Sequence, residues 1–299
     1  MSELPTLAII GPGKVGTSIG ILAVHAGYPV VAVAGRTKES TNSAARQIGK
    51  NVRPCSVIEA AQSATVVLLC LPDDAIEQVC TSLAQRKKFL ERAVVVHFSG
   101  VHSSTILSAA RDCCQCSVAS MHPLQTFPTV DEAIKKMSDT YCFYEGDERA
   151  IPVVERLAKN IGLIPIRIAS TSKPLYHAAA VMACNYLVAL MDSAIMLAEN
   201  AGIDRKTAWS ALEPLVRTTL NNISKMGTIS SLTGPIARGD LKTVSRHLQE
   251  SALAQGHIAS IYRTMGLYTV EMAIRKGSIT QRKAEEIIDL LLGSDNSHT

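Results

Sequence analysis

The sequence predicts an α/β fold: a Rossmann-type, mostly parallel sheet over residues 1–169, followed by an all-α domain over residues 170–299. Two observations support this prediction. In the first half, short apolar runs alternate with helix-like stretches, which is typical of parallel strands joined by helices. After about residue 170 the strand-like runs stop and long stretches rich in Ala, Met and Leu begin.

Seven runs in the first half are typical of strands, because most are short and apolar, as expected for strands covered on both faces. These strand candidates cover residues 6–10, 30–34, 65–70, 93–97, 117–121, 140–144 and 164–168. The helix candidates between them cover residues 14–26, 38–48, 74–88, 103–111, 131–137 and 148–161.

The second half predicts four helices, at residues 172–201, 204–226, 241–275 and 280–293. The first is expected to be one long buried helix, because no Gly or Pro interrupts the chain between Pro174 and Gly202. Gly234-Pro235 and Gly239-Asp240 are expected to break the chain between later helices.

The composition limits the classes of partner. Of 299 residues, 47% are apolar and 19% are charged, which suffices for a sizeable core, and the net charge of +4 is spread thinly. Since no basic run of five or more residues occurs, we expect no nucleic-acid partner. No uninterrupted apolar run approaches the roughly 18 residues of a membrane span, so no membrane partner is expected.

Eight cysteines and the N-terminal sequence bear on the compartment. The N-terminus has no basic segment before its first strand-like run, so we read no signal peptide and predict a cytoplasmic protein. Cysteines such as Cys70 and Cys184 lie in apolar runs and are interpreted as reduced core thiols. The cluster of Cys113, Cys114 and Cys116 invites a metal interpretation, but two adjacent cysteines rarely bind one ion, so no metal site is expected.

The strongest functional signal is a glycine-rich loop, Gly11-Pro12-Gly13-Lys14-Val15-Gly16, which follows the first strand candidate and begins a helix candidate. In this context Gly11 permits a tight turn, Gly13 lets backbone approach a pyrophosphate, and Gly16 lets the helix pack on the sheet. The free N–H groups of the helix N-terminus then face the phosphates. The loop therefore predicts a bound dinucleotide.

The end of the second strand candidate favours NADP over NAD. NAD-binding proteins place an acidic residue there to bind the ribose 2′-hydroxyl, whereas this chain has Gly35-Arg36-Thr37-Lys38. Arg36 can pair with a 2′-phosphate, and the Thr37 hydroxyl can add a donor. The alternative is that Arg36 and Lys38 are solvated loop residues, and the nearby Glu39 counts slightly against NADP.

Two later strand ends are expected to complete the cofactor site, because ligands of open α/β sheets bind beyond the carboxyl ends of the strands. Leu71 and Pro72 follow one strand, and Ser99 and Gly100 follow the next. Asp73 and Asp74 come directly after Pro72. Asp74 is expected to cap the next helix, a role we consider at least as plausible as catalysis for this pair.

With these residues in view, the chain resembles the 6-phosphogluconate-dehydrogenase-like group of Rossmann proteins. This group includes pyrroline-5-carboxylate reductase, ketopantoate reductase, prephenate dehydrogenase and deazaflavin-dependent NADP oxidoreductases. The chain is most similar to a branch that joins a Rossmann-like domain to a helical domain of unknown function 2520. The segments that support the resemblance are IIGPGKVGTSIG, CLPDDAI, HFSGVHSS, SMHPLQTFP, YHAAAVMACNYLVAL and LTGPIARGD.

The resemblance implies an NADP-dependent oxidoreductase that often dimerises through its helical domain. Hydroxyacid dehydrogenases of the group carry a Lys-x3-Asn pair on the long helix, whereas here Lys173 is followed four residues later by His177. The Ser/Thr/Gly-rich helix of pyrroline-5-carboxylate reductase is also absent. These departures weaken the transfer of those families' catalytic roles to this chain.

The catalytic candidates are His122, Lys173, His177 and Asn185, because hydride transfer needs a positioned proton donor near the nicotinamide. His122 ends a strand candidate before Pro123, where it either acts on substrate or fixes the loop. Lys173 and His177 are spaced to share one helix face, and Asn185 is expected to continue that face. The alternatives are a solvated Lys173, and His177 and Asn185 as core residues with satisfied hydrogen bonds.

Two functions are consistent with these residues. The first is an NADP(H)-dependent oxidoreductase that transfers a hydride to or from a small carbonyl, imine or hydroxy-acid compound. The second is a non-catalytic NADP(H)-binding sensor or regulatory protein. In either case a homodimer through the helical domain is expected, since its Ala- and Met-rich helices carry more apolar surface than a small domain buries. LTGPIARGD is interpreted as a tight turn capped by Asp240 before the next helix; the alternative is that it also lines the cleft from the helical side, with Arg238 as an anion contact.

Overall fold

The computed structural model describes residues 3–254 and 256–293. It divides the chain into two compact units, Met1–Ala183 and Cys184–Thr299. The division falls later than the predicted boundary after residue 169. The reason is local: the side chains of Lys173 and Tyr176, from the start of the long apolar segment, bond to groups of the sheet unit.

The first unit contains one sheet of eight strands. The strands are β1 (Leu7–Ile10), β2 (Val30–Ala34), β3 (Arg53–Pro54), β4 (Val66–Leu69), β5 (Val94–His97), β6 (Ser117–Pro123), β7 (Tyr141–Gly146) and β8 (Ile164–Arg167). Their order is β3-β2-β1-β4-β5-β6-β7-β8, and all neighbouring pairs are parallel except the antiparallel β6–β7 pair. The predicted α/β class and largely parallel sheet are confirmed.

Helices cover both faces of this sheet. They are α1 (Lys14–His25), α2 (Lys38–Ile48), α3 (Val57–Ser63), α4 (Asp73–Gln85), α5 (Ser108–Cys114), α6 (Val130–Met137) and α7 (Ile151–Asn160); α8 (Lys173–Ala183) follows the last strand, and only its Lys173 is buried. All seven predicted strands form, whereas the two-residue β3 and the short α3 were not predicted. Both are brief, and neither has the apolar run on which the strand predictions relied.

Two apolar cores explain why these strands are apolar on both faces. Leu7 and Ile9 of β1 pack in one core, with α1, α2 and α7. Ala8 and Ile10 of the same strand pack in the other, with α3, α4 and α5. A strand covered on both sides has no solvent-facing positions, so its sequence is a continuous apolar run instead of an alternating one.

The second unit is helical. Its helices are α9 (Asn185–Asn200), α10 (Arg205–Ser231), α11 (Leu241–Ala252), α12 (Ile258–Lys276) and α13 (Gln281–Leu292). α10 contains a non-helical residue, Gly227 with φ 77°, directly after the predicted helix end at residue 226. A core around Val244, Val270 and Ile287 joins α11, α12 and α13. Asp240 caps α11 as predicted, since its carboxylate accepts a hydrogen bond from the Thr243 N–H at 3.1 Å.

Two helix predictions for this half were wrong. The stretch 241–275 forms two helices, not one. The stretch 172–201 forms α8 and α9, separated at Cys184 (φ −115°, ψ −65°), and most of its side chains are exposed. Cys184 itself is exposed, so it is not a core thiol. Apolar side chains favour burial, but the described part of the chain leaves most of this stretch exposed.

The apolar stretch that contains α8 and α9 also affects the prediction that the protein has no membrane partner. Among the described residues, Ser170–Asn200 is long and apolar enough to cross a bilayer by length and composition, with a mean hydropathy of 1.7 in its most apolar window. Polar residues such as His177 and Asn185 interrupt the run of apolar letters but leave its average high. One such stretch is weak evidence for a membrane span.

Candidate active site

The glycine-rich loop joins β1 to α1, as predicted. Gly11 adopts φ +101°, and a Cβ there would lie closer than 3.0 Å to the Cys70 carbonyl. A Cβ on Gly16 would come equally close to the Gly11 carbonyl. Because backbone atoms cannot move aside easily, the packing of α1 against the sheet requires glycine at both positions.

Gly13 is different from the other two glycines. It is the N-cap of α1 with φ −78° and ψ −171°, a conformation open to any residue, and a Cβ there would meet no atom within 4 Å. Neither backbone strain nor packing within the chain requires glycine at this position. No side chain caps α1, so the N–H groups of its first turn, which includes Lys14 and Val15, stand beside open space. These features fit a diphosphate.

The end of β2 lies beside this loop. A Cβ on Gly35 would come closer than 3.0 Å to the Pro12 ring, so these two residues are in tight contact. Arg36 is exposed at the strand end. The Thr37 hydroxyl caps α2 by accepting a hydrogen bond from the Ser40 N–H at 3.2 Å. The roles of Arg36 and Thr37 toward a 2′-phosphate remain predictions.

The turn after β4 contains Leu71 and Pro72. Pro72 is the N-cap of α4, and the helix begins at Asp73, one residue earlier than predicted. The prediction that Asp74 caps this helix was therefore wrong, since Asp74 is already the second helical residue. Both carboxylates lie in the first turn, where they interact favourably with the positive end of the helix dipole.

A buried histidine fixes the loop after β5. His97 accepts a hydrogen bond from the Ser99 N–H through Nδ1 at 3.1 Å, so its proton is on Nε2, 3.2 Å from the Ser103 carbonyl. Burial, together with the charge of Lys173, lowers the pKa of His97 to about 3. The Ser99 hydroxyl accepts hydrogen bonds from the N–H groups of Val101 and His102.

Lys173, at the start of α8, is 1% exposed. Its ammonium group donates to the Ser99 carbonyl at 2.7 Å and to the Ser120 hydroxyl on β6. Burial lowers the pKa of Lys173 to about 8, although Glu145 acts in the opposite direction. The buried Glu145 in turn accepts hydrogen bonds from the N–H and hydroxyl of Ser104. Lys173 therefore ties α8 to β5 and β6, and it is not the solvated residue considered above.

Three rings come together beside Gly100. His122 Nδ1 lies 2.9 Å from the Tyr176 hydroxyl, and the Tyr176 ring packs on Phe143 with centroids 4.2 Å apart. The rings of His122 and His177 are 5.8 Å apart, edge to face. Burial, with the Lys173 charge, lowers the pKa of His122 to about 4, so this ring is neutral near pH 7. Burial raises the pKa of Tyr176.

The structure thus brings together Ser99, Gly100, His122, Lys173 and His177, all of which lie in the first unit. Asn185 begins α9 in the second unit, and its side chain is exposed. The break at Cys184 interrupts the continuous helix on which the prediction for Asn185 relied. Its catalytic role remains a prediction without a described contact.

Sequence reasoning missed four buried polar contributors to this cluster. They are His97, Ser104, Ser120 and Glu145. Ser120 and Glu145 are cross-strand partners in the β6–β7 pair. The available signal was a polar residue inside an apolar strand, since a buried polar group needs a partner. Tyr176, whose hydroxyl bonds to His122, was not among the predicted site residues either.

Two family models match the chain. Residues 6–98 match the family described as NADP oxidoreductase coenzyme F420-dependent, and residues 140–269 match the domain of unknown function DUF2520. The predicted resemblance is confirmed. The DUF2520 module begins at residue 140, inside the sheet, and so includes β7 and β8 as well as the helices.

Solved structures share the fold of this chain. Protein TM1727 from Thermotoga maritima is 27% identical, with a TM-score of 0.72 over 91% of this chain and 99% of that one. A pyrroline-5-carboxylate reductase from Coxiella burnetii is 16% identical, with a TM-score of 0.56 over 95% and 99%. A reductive aminase from Aspergillus terreus, in complex with NADPH and ethyl-5-oxohexanoate, is 15% identical, with a TM-score of 0.59 over 98% and 94%. No curated protein matches the chain in sequence at the level compared.

Proposed function

We propose that this protein is an NADP(H)-dependent oxidoreductase that transfers a hydride to or from a small carbonyl, imine or hydroxy-acid compound. The observation that carries the proposal is the position of the polar cluster. His122, Tyr176 and His177 gather at Gly100, after β5, and the glycine-rich loop follows β1 in the same parallel sheet. Ligands of such sheets bind beyond the carboxyl ends of the strands, where a dinucleotide can span both places.

The family match supports NADP as the cofactor, and Arg36 supports the preference over NAD. When bound, NADPH supplies a hydride to the substrate carbon. The N–H groups of the first turn of α1 would bind the diphosphate, and the Arg36 guanidinium the 2′-phosphate. Leu71, Pro72, Ser99 and Gly100 would line the remainder of the cofactor groove.

The chain supplies hydrogen-bonding groups for the substrate and a route for one proton. Reduction of a carbonyl adds a hydride to carbon and a proton to oxygen, and oxidation of a hydroxyl removes both. The Tyr176 hydroxyl, bonded to neutral His122, can hold or pass that proton in either direction. Lys173 is committed to Ser99 and Ser120, so its role in this proposal is to hold α8 in place.

A coupled assay tests the proposal. The protein is incubated with NADPH and a panel of keto acids, aldehydes and cyclic imines, or with NADP⁺ and hydroxy acids, while the absorbance of the reduced nicotinamide is followed. We expect turnover on at least one class, with a loss of about a hundredfold or more in His122→Phe and Tyr176→Phe and unchanged NADPH affinity.

A matched control disrupts a similar histidine–tyrosine hydrogen bond in the second unit. His247 Nδ1 in the second unit lies 2.9 Å from the Tyr262 hydroxyl, also edge to face. His247→Phe therefore removes an equivalent hydrogen bond in the second unit, and we expect it to retain turnover. Equal loss in both pairs would indicate a stability effect and would count against the proposed roles of His122 and Tyr176.

A second candidate function is an NADP(H)-binding sensor. It is favoured by two observations: His122 is neutral near pH 7 and the Lys173 ammonium group is fully engaged, so neither side chain is a ready proton donor. NADPH binding without turnover on any substrate class would select this function over the oxidoreductase.

We also propose a homodimer through the helical domain. Tyr186 and Val188 of α9 are 61% and 68% exposed, and Leu215 of α10 is 63% exposed. Side chains of this size favour burial, at roughly 1.5–3 kcal/mol each when fully covered. Sedimentation at micromolar concentration, with and without lipid vesicles, tests this, and a cytoplasmic dimer predicts a dimeric mass and no vesicle binding.

A further inference from the structure

The Nδ1 atom of His177 is the one buried side-chain nitrogen or oxygen without a hydrogen-bond partner in the described part of the chain. It faces Gly100: a Cβ built on this glycine would come closer than 3.0 Å to Nδ1, and would lie 2.9 Å from His122 Nε2. The nitrogen therefore packs against the Cα of Gly100, and no side chain intervenes.

A neutral imidazole has one N–H donor and one lone-pair acceptor, and the surroundings decide which nitrogen carries the proton. An N–H buried without an acceptor costs about 1–3 kcal/mol. A buried lone pair that faces a Cα–H group costs less free energy, because the Cα–H group is itself a weak hydrogen-bond donor. The contact with Gly100 therefore disfavours a proton on Nδ1.

We propose that Gly100 holds His177 as the Nε2–H tautomer, so that the ring presents a hydrogen-bond donor to an oxygen acceptor of the substrate. This inference rests on the proposed oxidoreductase function for its substrate, but the tautomer itself does not depend on that function. Gly100 is then a positioning residue, besides its predicted place in the cofactor groove.

The neighbouring histidine does not satisfy Nδ1. The rings of His122 and His177 are edge to face, 81° apart, and the His122 ring already bonds to Tyr176 through Nδ1. No hydrogen bond joins the two rings. Among the described residues no hydrogen bond reaches His177 Nε2, and this atom is not among the buried unpaired atoms, so it is the ring nitrogen accessible to a ligand.

The tautomer narrows the substrate class. A donor at Nε2 stabilises a carbonyl oxygen and the negative charge that develops on it during reduction. A protonated imine offers an N–H in place of an acceptor and would meet this donor unfavourably. The site therefore favours carbonyl or hydroxyl substrates over protonated imines. His177 polarises this oxygen without giving up its proton, since loss of Nε2–H would leave an imidazolate. The proton comes from the Tyr176–His122 pair or from water.

Long-range ¹H–¹⁵N spectra of the full chain labelled with ¹⁵N-histidine test the tautomer directly. The His177 signal is assigned by its loss in His177→Gln. His97 is the internal reference, because its Nδ1 accepts the Ser99 N–H and its tautomer is fixed. We expect His177 to show the same pattern as His97, with protonated Nε2. The opposite pattern overturns the inference. Gly100→Ala, which must displace the ring, is expected to change the His177 signals while His97 keeps its pattern.

A pair of substitutions tests the role of each nitrogen. The amide of Gln can reach the position of Nε2, whereas the amide of Asn reaches that of Nδ1. On a carbonyl substrate we expect His177→Gln to keep a kcat about tenfold to a hundredfold above His177→Asn, with equal NADPH affinity. Asn equal to or better than Gln refutes the donor role. If no substrate class is turned over, the oxidoreductase proposal fails, and the spectra still decide the tautomer.

Discussion

The ionisation of Lys173 gives a quantitative prediction about stability. Its pKa is about 8 in the folded chain, against 10.5 for an unperturbed lysine, because burial disfavours the ammonium form. Between these values the unfolded chain binds more protons than the folded chain, so the free energy of unfolding rises with pH. The difference of 2.5 pKa units, at 1.36 kcal/mol each, corresponds to about 3 kcal/mol between pH 8 and pH 10.5.

Lys173→Met is the matched variant, because methionine keeps an unbranched stem of similar length without a titratable group. Urea unfolding of both proteins would be measured at several pH values from 7 to 10.5. Other titrations, such as those of tyrosines and cysteines, are common to both proteins and cancel in the difference. We expect the free energy of unfolding of wild type to rise by about 3 kcal/mol more than that of the variant. Parallel curves would show that Lys173 is not held in a desolvated site.

The remaining predictions concern the loop, the phosphate contact and acid stability. Gly13→Val should leave the thermal unfolding temperature within a few degrees of wild type and abolish NADPH binding by calorimetry, whereas Gly11→Ala should unfold more readily, with strain of about 1–3 kcal/mol. Arg36→Ala should weaken NADPH binding about tenfold to a hundredfold with little change for NADH, the loss expected for one charge-assisted pair. Equal losses for both dinucleotides would refute the 2′-phosphate contact. The free energy of unfolding in urea should fall as the pH drops from 6.5 toward 4. In this range His97 and His122 bind protons in the unfolded chain but stay neutral in the folded chain, because burial lowers their pKa. The variant His122→Gln should show a smaller fall.

Much of the sheet unit could be predicted from the sequence, because strands covered on both faces leave a direct signal of short apolar runs. Leu7–Ile10 and Val94–His97 are examples. The glycine-rich loop could be predicted equally well, because its residues are close together in the sequence. The strand order β3-β2-β1-β4-β5-β6-β7-β8 and the antiparallel β6–β7 pair were not predicted, because strand pairing depends on contacts between residues far apart in the chain.

The polar cluster shows the limit of sequence reasoning more clearly. His122, Lys173 and His177 were chosen singly from strand ends and helix spacing, and the structure brings them together at Gly100. For Asn185 the helix-face argument assumed an unbroken helix through Cys184, whereas the structure divides the helix at that residue. No local signal marks that break: the segment has no Gly or Pro. Ser120 and Glu145 became visible only through the cross-strand pairing that places them beside Lys173 and Ser104.

Different glycines of this chain are required for different physical reasons, and a sequence motif does not distinguish these reasons. Gly11 and Gly16 are needed by the protein itself, since a Cβ at either would strike backbone. At position 13 neither the backbone conformation nor a described neighbouring residue requires glycine. A ligand that approaches the backbone there is the remaining physical reason for glycine. Gly100 belongs to a third kind, because a Cβ there would strike two histidine rings. Gly13 and Gly100 are thus the positions where substitution should affect function most relative to fold, and they mark the two ends of the proposed site: diphosphate at one and reacting oxygen at the other.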